Sequence, residues 1–276
     1  MVTIYSAAAP TPETQYLFID GAYLRERAKA AGDAWFNEPI ELDYAKLSYG
    51  CTKTFYYDCL PSKTAGETDD QFEARRAQQE AFFNRLRAYK GWHVSEGLAK
   101  WRKGKGSTQK EVDILIAVDM LTHTHRRNMS RLIFVAGDQD FRPLVEAVVR
   151  DGMYVTLWYE PTSVSQDLLH EADDSYRLGI YQLHALATDA YQAAHPIPSI
   201  SQEFQAYPAD GVLREIGKDG RGASVVNLYE SQGSWVAAGT DFEPPNKNYL
   251  HLRHADKAFL KRVWEDRKGP CTWSAA

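Results

Sequence analysis

The stretch RLIFVAG, residues 131–137, narrows the fold more than any other part of this chain. It is almost continuously apolar, so as a strand it must be covered on both faces, which is the environment of a parallel sheet clothed by helices. The run MYVTLWY, residues 153–159, has the same character. Between them residues 141–150 read as a helix with Pro143 tolerated in its first turn, ended by Asp151-Gly152.

The same alternation starts earlier. The apolar run at residues 16–19 ends at Asp20-Gly21, and YLRERAKAAG follows with helical composition and a closing Gly32. An aromatic-rich strand is expected over residues 53–60, then a polar loop in which Asp70 can cap a charged helix over residues 71–90. Gly91 stops that helix and WHVSEGLA alternates as a third strand. A basic glycine-containing loop leads into an apolar helix opening near Lys110, with Val112, Leu115, Ile116, Val118, Met120 and Leu121 covering most of its surface. Residues 163–171 read as a short helix and ADDSYRLGIYQL as a last edge strand or helix. Strand and helix in turn predict an α/β sandwich around a mostly parallel central sheet, with active groups beyond the carboxyl ends of the strands.

At 276 residues and 44% hydrophobic content, the chain can bury one substantial core and carry a small appendage. The proline-rich, aperiodic stretch after residue 193 marks the boundary. The expected division is a tail over residues 1–14, a main domain over 15–193, and a linker with a small α+β unit over 194–276. That unit is read as a helix over 211–216, strands ASVVNLY and SWVAAGT, and an amphipathic helix over 255–265. Its Tyr249, Arg253, Lys257, Lys261 and Arg262 suit either RNA contact or a solvated face.

No run of about 18 apolar residues occurs and the first residues lack a basic, then apolar, leader, so a cytoplasmic protein without membrane attachment is expected. Cys51, Cys59 and Cys271 show no Cys-x-x-Cys spacing and read as reduced thiols. The net charge of −5 excludes a uniformly basic nucleic-acid-binding surface, so local clustering has to supply the cations. Residues 100–110 do so: Lys100, Arg102, Lys103, Lys105 and Lys110 occur there without an acid, beside Trp101. Lysine and arginine can hold phosphates and a tryptophan can stack on an unpaired base.

The candidate chemistry lies in aspartates at element ends: Asp20 after the first strand, Asp113 in the first turn of the apolar helix, and Asp138 and Asp140 in GDQDF. Singly, each is explained as a cap or a partner of a helix dipole. Jointly, crowded carboxylates are costly without a compensating cation, and a set lacking His or Cys suits Mg²⁺ or Mn²⁺. Two such ions can clamp the attacking and leaving oxygens of a phosphodiester. Asp119 lies six residues beyond Asp113, about 240° round the helix, and is expected outside the site. His93, His123, His125 and His170 lack ligand spacing and are read as bystanders.

FIDGAYL, KEVDILIAVDML, LIFVAGDQDFRPLVEAVVRDGMYVTLWY and SVSQDLLHEADDSY, in that order, resemble the NYN domain of the PIN-like nuclease superfamily, in particular its bacterial LabA-like members. The resemblance implies a Rossmann-like sandwich, a divalent-metal site at Asp20, Asp113, Asp138 and Asp140, and endoribonuclease activity on single-stranded or structured RNA, with tRNA and mRNA as candidate substrates. Asp173 and Asp174 fall where the family keeps an aspartate and are read as framework. Two positions depart from the pattern: Tyr23 stands where relatives usually carry Asn, and Ala136 where they usually carry Ser.

The leading expectation is thus a metal-dependent endoribonuclease, with a catalytically silent RNA-binding adaptor, which the two departures permit, as the alternative. The C-terminal unit is a candidate for substrate selection or for making a homo-oligomer. A DNA nuclease or phosphatase ranks lower, since FIDGA lacks the second aspartate, two residues after Asp20, that haloacid-dehalogenase-like phosphatases use.

Overall fold

The computed structural model describes residues 13–98, 100–102, 106–108, 110–205, 211–240 and 249–276. They fall into two compact units, the first running to Leu178 and taking in Ala185–Thr188, the second formed by Gly179–His184 and Asp189–Ala276. The second unit therefore takes in residues ahead of the compositional break at Ala194. The backbone explains this: the Leu178 N–H donates to the Tyr159 carbonyl at 2.6 Å, whereas the Ile180 N–H donates to the Asp266 carboxylate at 3.1 Å.

In the first unit the elements follow in the order β1 (Gln15–Asp20), α1 (Gly21–Phe36), α2 (Tyr44–Leu47), β2 (Lys53–Leu60), α3 (Asp69–Arg87), β3 (Trp92–Leu98), β4 (Lys100–Arg102), β5 (Gly106–Thr108), α4 (Lys110–His125), β6 (Arg131–Val135), a 3-10 turn (Gln139–Phe141), α5 (Arg142–Arg150), β7 (Tyr154–Tyr159), α6 (Gln166–Glu171) and β8 (Asp174–Arg177). Six strands make one sheet in the order β3-β2-β1-β6-β7-β8, with every neighbouring pair parallel. The direction of progression reverses between β1 and β6. In sheets of this kind ligands bind at that reversal, beyond the carboxyl ends of the strands.

Alternate residues serve opposite faces of the sheet. Phe18, Phe55, Tyr57, Phe134, Val155 and Leu157 form one buried cluster with Val112, Ile116 and Met120 of α4 and Leu144, Val145 and Val148 of α5. Phe18 stacks on Phe55 at 4.9 Å between ring centroids and 8° between planes. Their strand neighbours Leu17, Ile19, Thr54 and Tyr56 serve the other face, where Leu24 and Ala28 of α1 and Phe83 and Leu86 of α3 are buried. Each fully buried Phe or Leu contributes roughly 1.5–3 kcal/mol. The charged run after β2 is helical from Asp69, and Thr68 rather than Asp70 caps it. The Thr68 hydroxyl accepts from the Gln71 N–H at 3.3 Å while the Gln71 side chain accepts from the Thr68 N–H at 3.1 Å, a capping box that satisfies two otherwise unpaired donors.

The basic segment is not a plain loop. β4 and β5 pair antiparallel as a two-stranded hairpin, Lys100 opposite Thr108 and Arg102 opposite Gly106. Lys103 and Lys105 lie outside the described residues.

The second unit contains α7 (Ile180–Ala185, which ends at its edge), α8 (Asp189–Ala194), β9 (Ser201–Gln205), β10 (Val212–Lys218), β11 (Ser224–Ser231), β12 (Ser234–Gly239), β13 (Tyr249–His254), α9 (Lys257–Lys268) and β14 (Thr272–Ala275). Its antiparallel sheet has the order β14-β10-β11-β12-β13-β9. Of residues 211–216, expected as a helix, 212–216 are the start of β10. Pairing with β11 on one side and β14 on the other overrides local helical preference there. Gln232 and Gly233, both at positive φ, join β11 to β12 in the two-residue hairpin such twisted strands favour. α9 is capped by Asp256 and buries Leu260, Val263 and Trp264. Lys257 and Lys261 lie over Trp235 and Trp273 at 4.8 and 4.7 Å, and both pair with Glu215.

Cys51, Cys59 and Cys271 are free thiols. No helix among the described residues is long and apolar enough to cross a membrane. Because Phe18 is fully enclosed in the stacked cluster, Phe18→Ala is expected to lower unfolding stability by about 3–5 kcal/mol in a urea titration.

Candidate active site

β1 ends at Asp20, beside the reversal in strand order. The backbone turns there because Gly21 begins α1 with no side chain: a Cβ on it would lie 2.3 Å from Cζ of the buried Tyr56 ring. Asp20 caps α1, its carboxylate accepting from the Tyr23 N–H at 3.1 Å. The structural explanation for this aspartate therefore holds, and a second property stands beside it. Burial pushes the Asp20 carboxyl from an ordinary 3.8 up to about 6, and the negative charges of Asp113 and Asp58 add to that effect against the opposing Tyr23 hydrogen bond.

Asp113 reaches this neighbourhood from α4. β3 and α4 approach closely at Gly97, where a Cβ would come within 2.6 Å of the Val112 side chain and 3.2 Å of Cys59 Sγ. Cys59 reports the same concentration of charge. Its thiol is pushed up to about 11, by burial first and then by Asp58, Glu111, Asp113 and Asp20. Asp20 pairs in register with Tyr57 and so belongs to the α4 side of the sheet.

Two acids in this group escape the sequence pattern, Asp58 and Glu111. Asp58 is 1% exposed and sits in the otherwise uncharged second half of β2, which is the signal that marks it. It is held by an ion pair with Arg25 at 2.9 Å and by hydrogen bonds from the Cys59 N–H at 2.8 Å, the Tyr56 hydroxyl at 3.2 Å and the Gln79 amide at 3.3 Å. Burial still pushes its carboxyl up despite those partners. Glu111 lies with Asp113 in the first turn of α4, where both complement the helix dipole.

Asp138 and Asp140 occupy the loop after β6, the strand next to β1, and both are exposed. Asp138 is the cap, accepting from the Asp140 N–H at 3.0 Å. Asp119 accepts from the Tyr57 hydroxyl at 2.9 Å. Asp173 acts as framework, accepting from the Val155 N–H at 2.8 Å. His123 packs edge-on to Tyr16, His93 stacks on Phe55, and His125 lies 3.1 Å from Asp151. The structure thus brings Asp20 and Asp113 into electrostatic reach with Asp58 and Glu111, and sets Asp138 and Asp140 on the neighbouring loop. Among the described residues no three His, Cys, Asp or Glu side chains close around a common metal position. Lys100, Trp101 and Arg102 lie on β4 and Lys110 opens α4, so the basic hairpin runs directly into the helix that carries Asp113.

At the two positions that depart from the family pattern, Ala136 is fully buried and its N–H donates to the Trp158 carbonyl at 3.3 Å. Tyr23 crosses from α1 to the end of β7, where its hydroxyl accepts from the Glu160 N–H at 2.8 Å.

The sign of the Asp20 shift gives a test. A carboxyl raised from 3.8 to about 6 on folding contributes stability that is complete below about 3.8 and lost as pH rises through about 6. Asparagine caps a helix as well as aspartate does. Asp20→Asn is therefore expected to be more stable than the parent at about pH 8, by on the order of 1–3 kcal/mol, with the difference vanishing near pH 4, as measured by urea unfolding at both values. At Gly97, addition of a methyl group against a β-branched partner is expected to cost about 1–3 kcal/mol in Gly97→Ala by the same measurement.

Among proteins of known structure, a protein of unknown function from Vibrio parahaemolyticus RIMD 2210633 is similar at 20% identity and a TM-score of 0.44, over 62% of this chain and 96% of that one. No curated protein matches the chain. The family model of the NYN domain matches residues 16–179, a span that runs from β1 to the end of the parallel sheet. NYN domains are generally nucleases with a PIN-like fold. By that match, over more than half its length, the chain belongs to the NYN-domain family of the PIN-like superfamily.

Proposed function

We propose that this protein is a divalent-metal-dependent endoribonuclease of the LabA-like kind, acting on RNA from the α4 side of the parallel sheet. The observation that carries the reading is Asp20, a carboxyl pushed up to about 6 at the strand-order reversal, with Asp113 and Asp58 as like-charged neighbours. Electrostatic crowding of this kind is relieved by a cation.

The donors are carboxylate oxygens without His or Cys, which fits a hard ion such as Mg²⁺ or Mn²⁺. Such ions are commonly held by one or two carboxylates, with waters and substrate phosphate oxygens completing the shell, so a closed protein cage is not required. Asp20 and Asp113 would hold the ion from β1 and α4, with Asp138 and Asp140 approaching from the loop after β6. Bound there, the ion would supply Lewis acidity to the phosphodiester and make a water it holds more acidic.

The chain's own residues have separable tasks. Asp58 is paired with Arg25 and adds to the field at Asp20 rather than holding a ligand. Lys100, Arg102, Lys103, Lys105 and Lys110 attract the phosphate backbone, and Trp101 stacks an unpaired base. Backbone attraction and stacking carry little sequence information, which suits single-stranded or locally open RNA.

An RNA-binding adaptor without turnover is the second reading, favoured by the apolar Ala136 and by the Tyr23 hydroxyl already engaged at Glu160. Incubation of the purified chain with tRNA, mRNA and single-stranded DNA, in Mn²⁺ and in EDTA, separates the two. The expected outcome is cleavage of RNA in Mn²⁺ alone. Asp20→Asn and Asp138→Asn, each folded by circular dichroism, should lower the rate about a hundredfold or more, the scale of losing one charged transition-state partner. RNA retention without cleavage in any metal would establish the adaptor instead.

A further inference from the structure

Tyr23 takes part in a closed set of contacts. Its N–H donates to Asp20, and its hydroxyl, at the far end of the ring, accepts from the Glu160 N–H at 2.8 Å and lies 3.3 Å from Ser163 Oγ. Its ring covers Gly137: a Cβ there would lie 2.5 Å from Tyr23 Cε2 and 2.6 Å from the Ser163 carbonyl. The Ser165 N–H in turn donates to the Gly137 carbonyl at 3.2 Å. The first turn of α1, the residue before Asp138, and the turn from β7 to α6 are thereby tied through one side chain. The ring thus passes from α1 across the end of β6 to the end of β7, whereas Asp113 lies on α4, on the other side of the sheet. An asparagine, shorter by the whole phenol ring, cannot span from α1 to Glu160.

We propose that Tyr23 is a positioning residue, a clamp that holds the Gly137–Asp138 segment against α1 and shuts the α1 side of the crevice, so that RNA meets Asp20 from the α4 side alone. The clamp itself stands on the contacts above. Its effect on RNA rests on the nuclease reading.

Hydrogen–deuterium exchange on the full chain tests the clamp without reference to activity. Tyr23→Phe keeps the ring and loses the hydroxyl, so exchange in the peptide over residues 158–166 should rise roughly tenfold while peptides of β1 and β6 stay as they were. Unchanged exchange at residues 158–166 would overturn the clamp. The second arm measures cleavage of single-stranded RNA in Mn²⁺ by the parent, Tyr23→Phe and Tyr23→Asn. A positioning role predicts that Tyr23→Asn lowers kcat at least tenfold with KM within about twofold, and that Tyr23→Phe recovers most of it through the retained ring. An unaltered kcat in Tyr23→Asn would overturn the positioning role, whatever the exchange of Tyr23→Phe. Should the parent chain cleave no RNA, the nuclease reading falls, and the exchange arm alone upholds or overturns the clamp.

Discussion

A parallel sheet has to be covered on both faces, because its strands cannot turn straight back and its connections bring helices over it. That constraint organises the first unit. Phe18, Phe55 and Phe134 look toward α4 and α5, while Leu17, Ile19 and Tyr56 look toward α1 and α3. Loops that carry chemistry are left at the carboxyl edge, and the reversal beside β1 leaves a gap there. Asp20 stands at that gap because β1 ends where it does, and Asp113 approaches because Gly97 lets α4 close on β3.

The electrostatics follow from the packing. A carboxylate at a strand end ordinarily keeps its charge through water, helix dipole or a cationic partner. Asp58 has Arg25. Asp20 is buried with two like-charged neighbours and has only the Tyr23 and Ala22 backbone N–H groups to oppose them, and its carboxyl rises accordingly. The two acids stand at consecutive register positions on opposite faces of the sheet, so Asp58 is held toward α1 and α3 while Asp20 lies on the α4 side.

Much of this was legible in the residues. Apolar runs bounded by Asp-Gly and helical stretches specify the parallel sheet, because complete burial of a strand leaves no polar alternation to misread. Helix geometry sets Asp119 about 240° from Asp113, and in the structure it accepts from the Tyr57 hydroxyl. Asp58 was not legible, since an acid inside an aromatic strand shows its role only once Arg25 and Gln79 are seen to reach it from α1 and α3. The β10 strand was missed because its two pairing partners lie in β11 and β14, the latter at the far end of the chain. The task of Tyr23 depends on Glu160, more than a hundred residues away, and no local pattern encodes such a contact.

Gly21 carries a lesson about reading motifs. The glycine beside Asp20 is required by the Tyr56 ring, which leaves no volume for even a methyl group. A descendant stripped of every catalytic ability would still be obliged to keep it, on pain of losing the seat of its first helix. The glycine of FIDG is therefore a mark of architecture rather than of chemistry, which has to be sought in residues that packing leaves at liberty to drift.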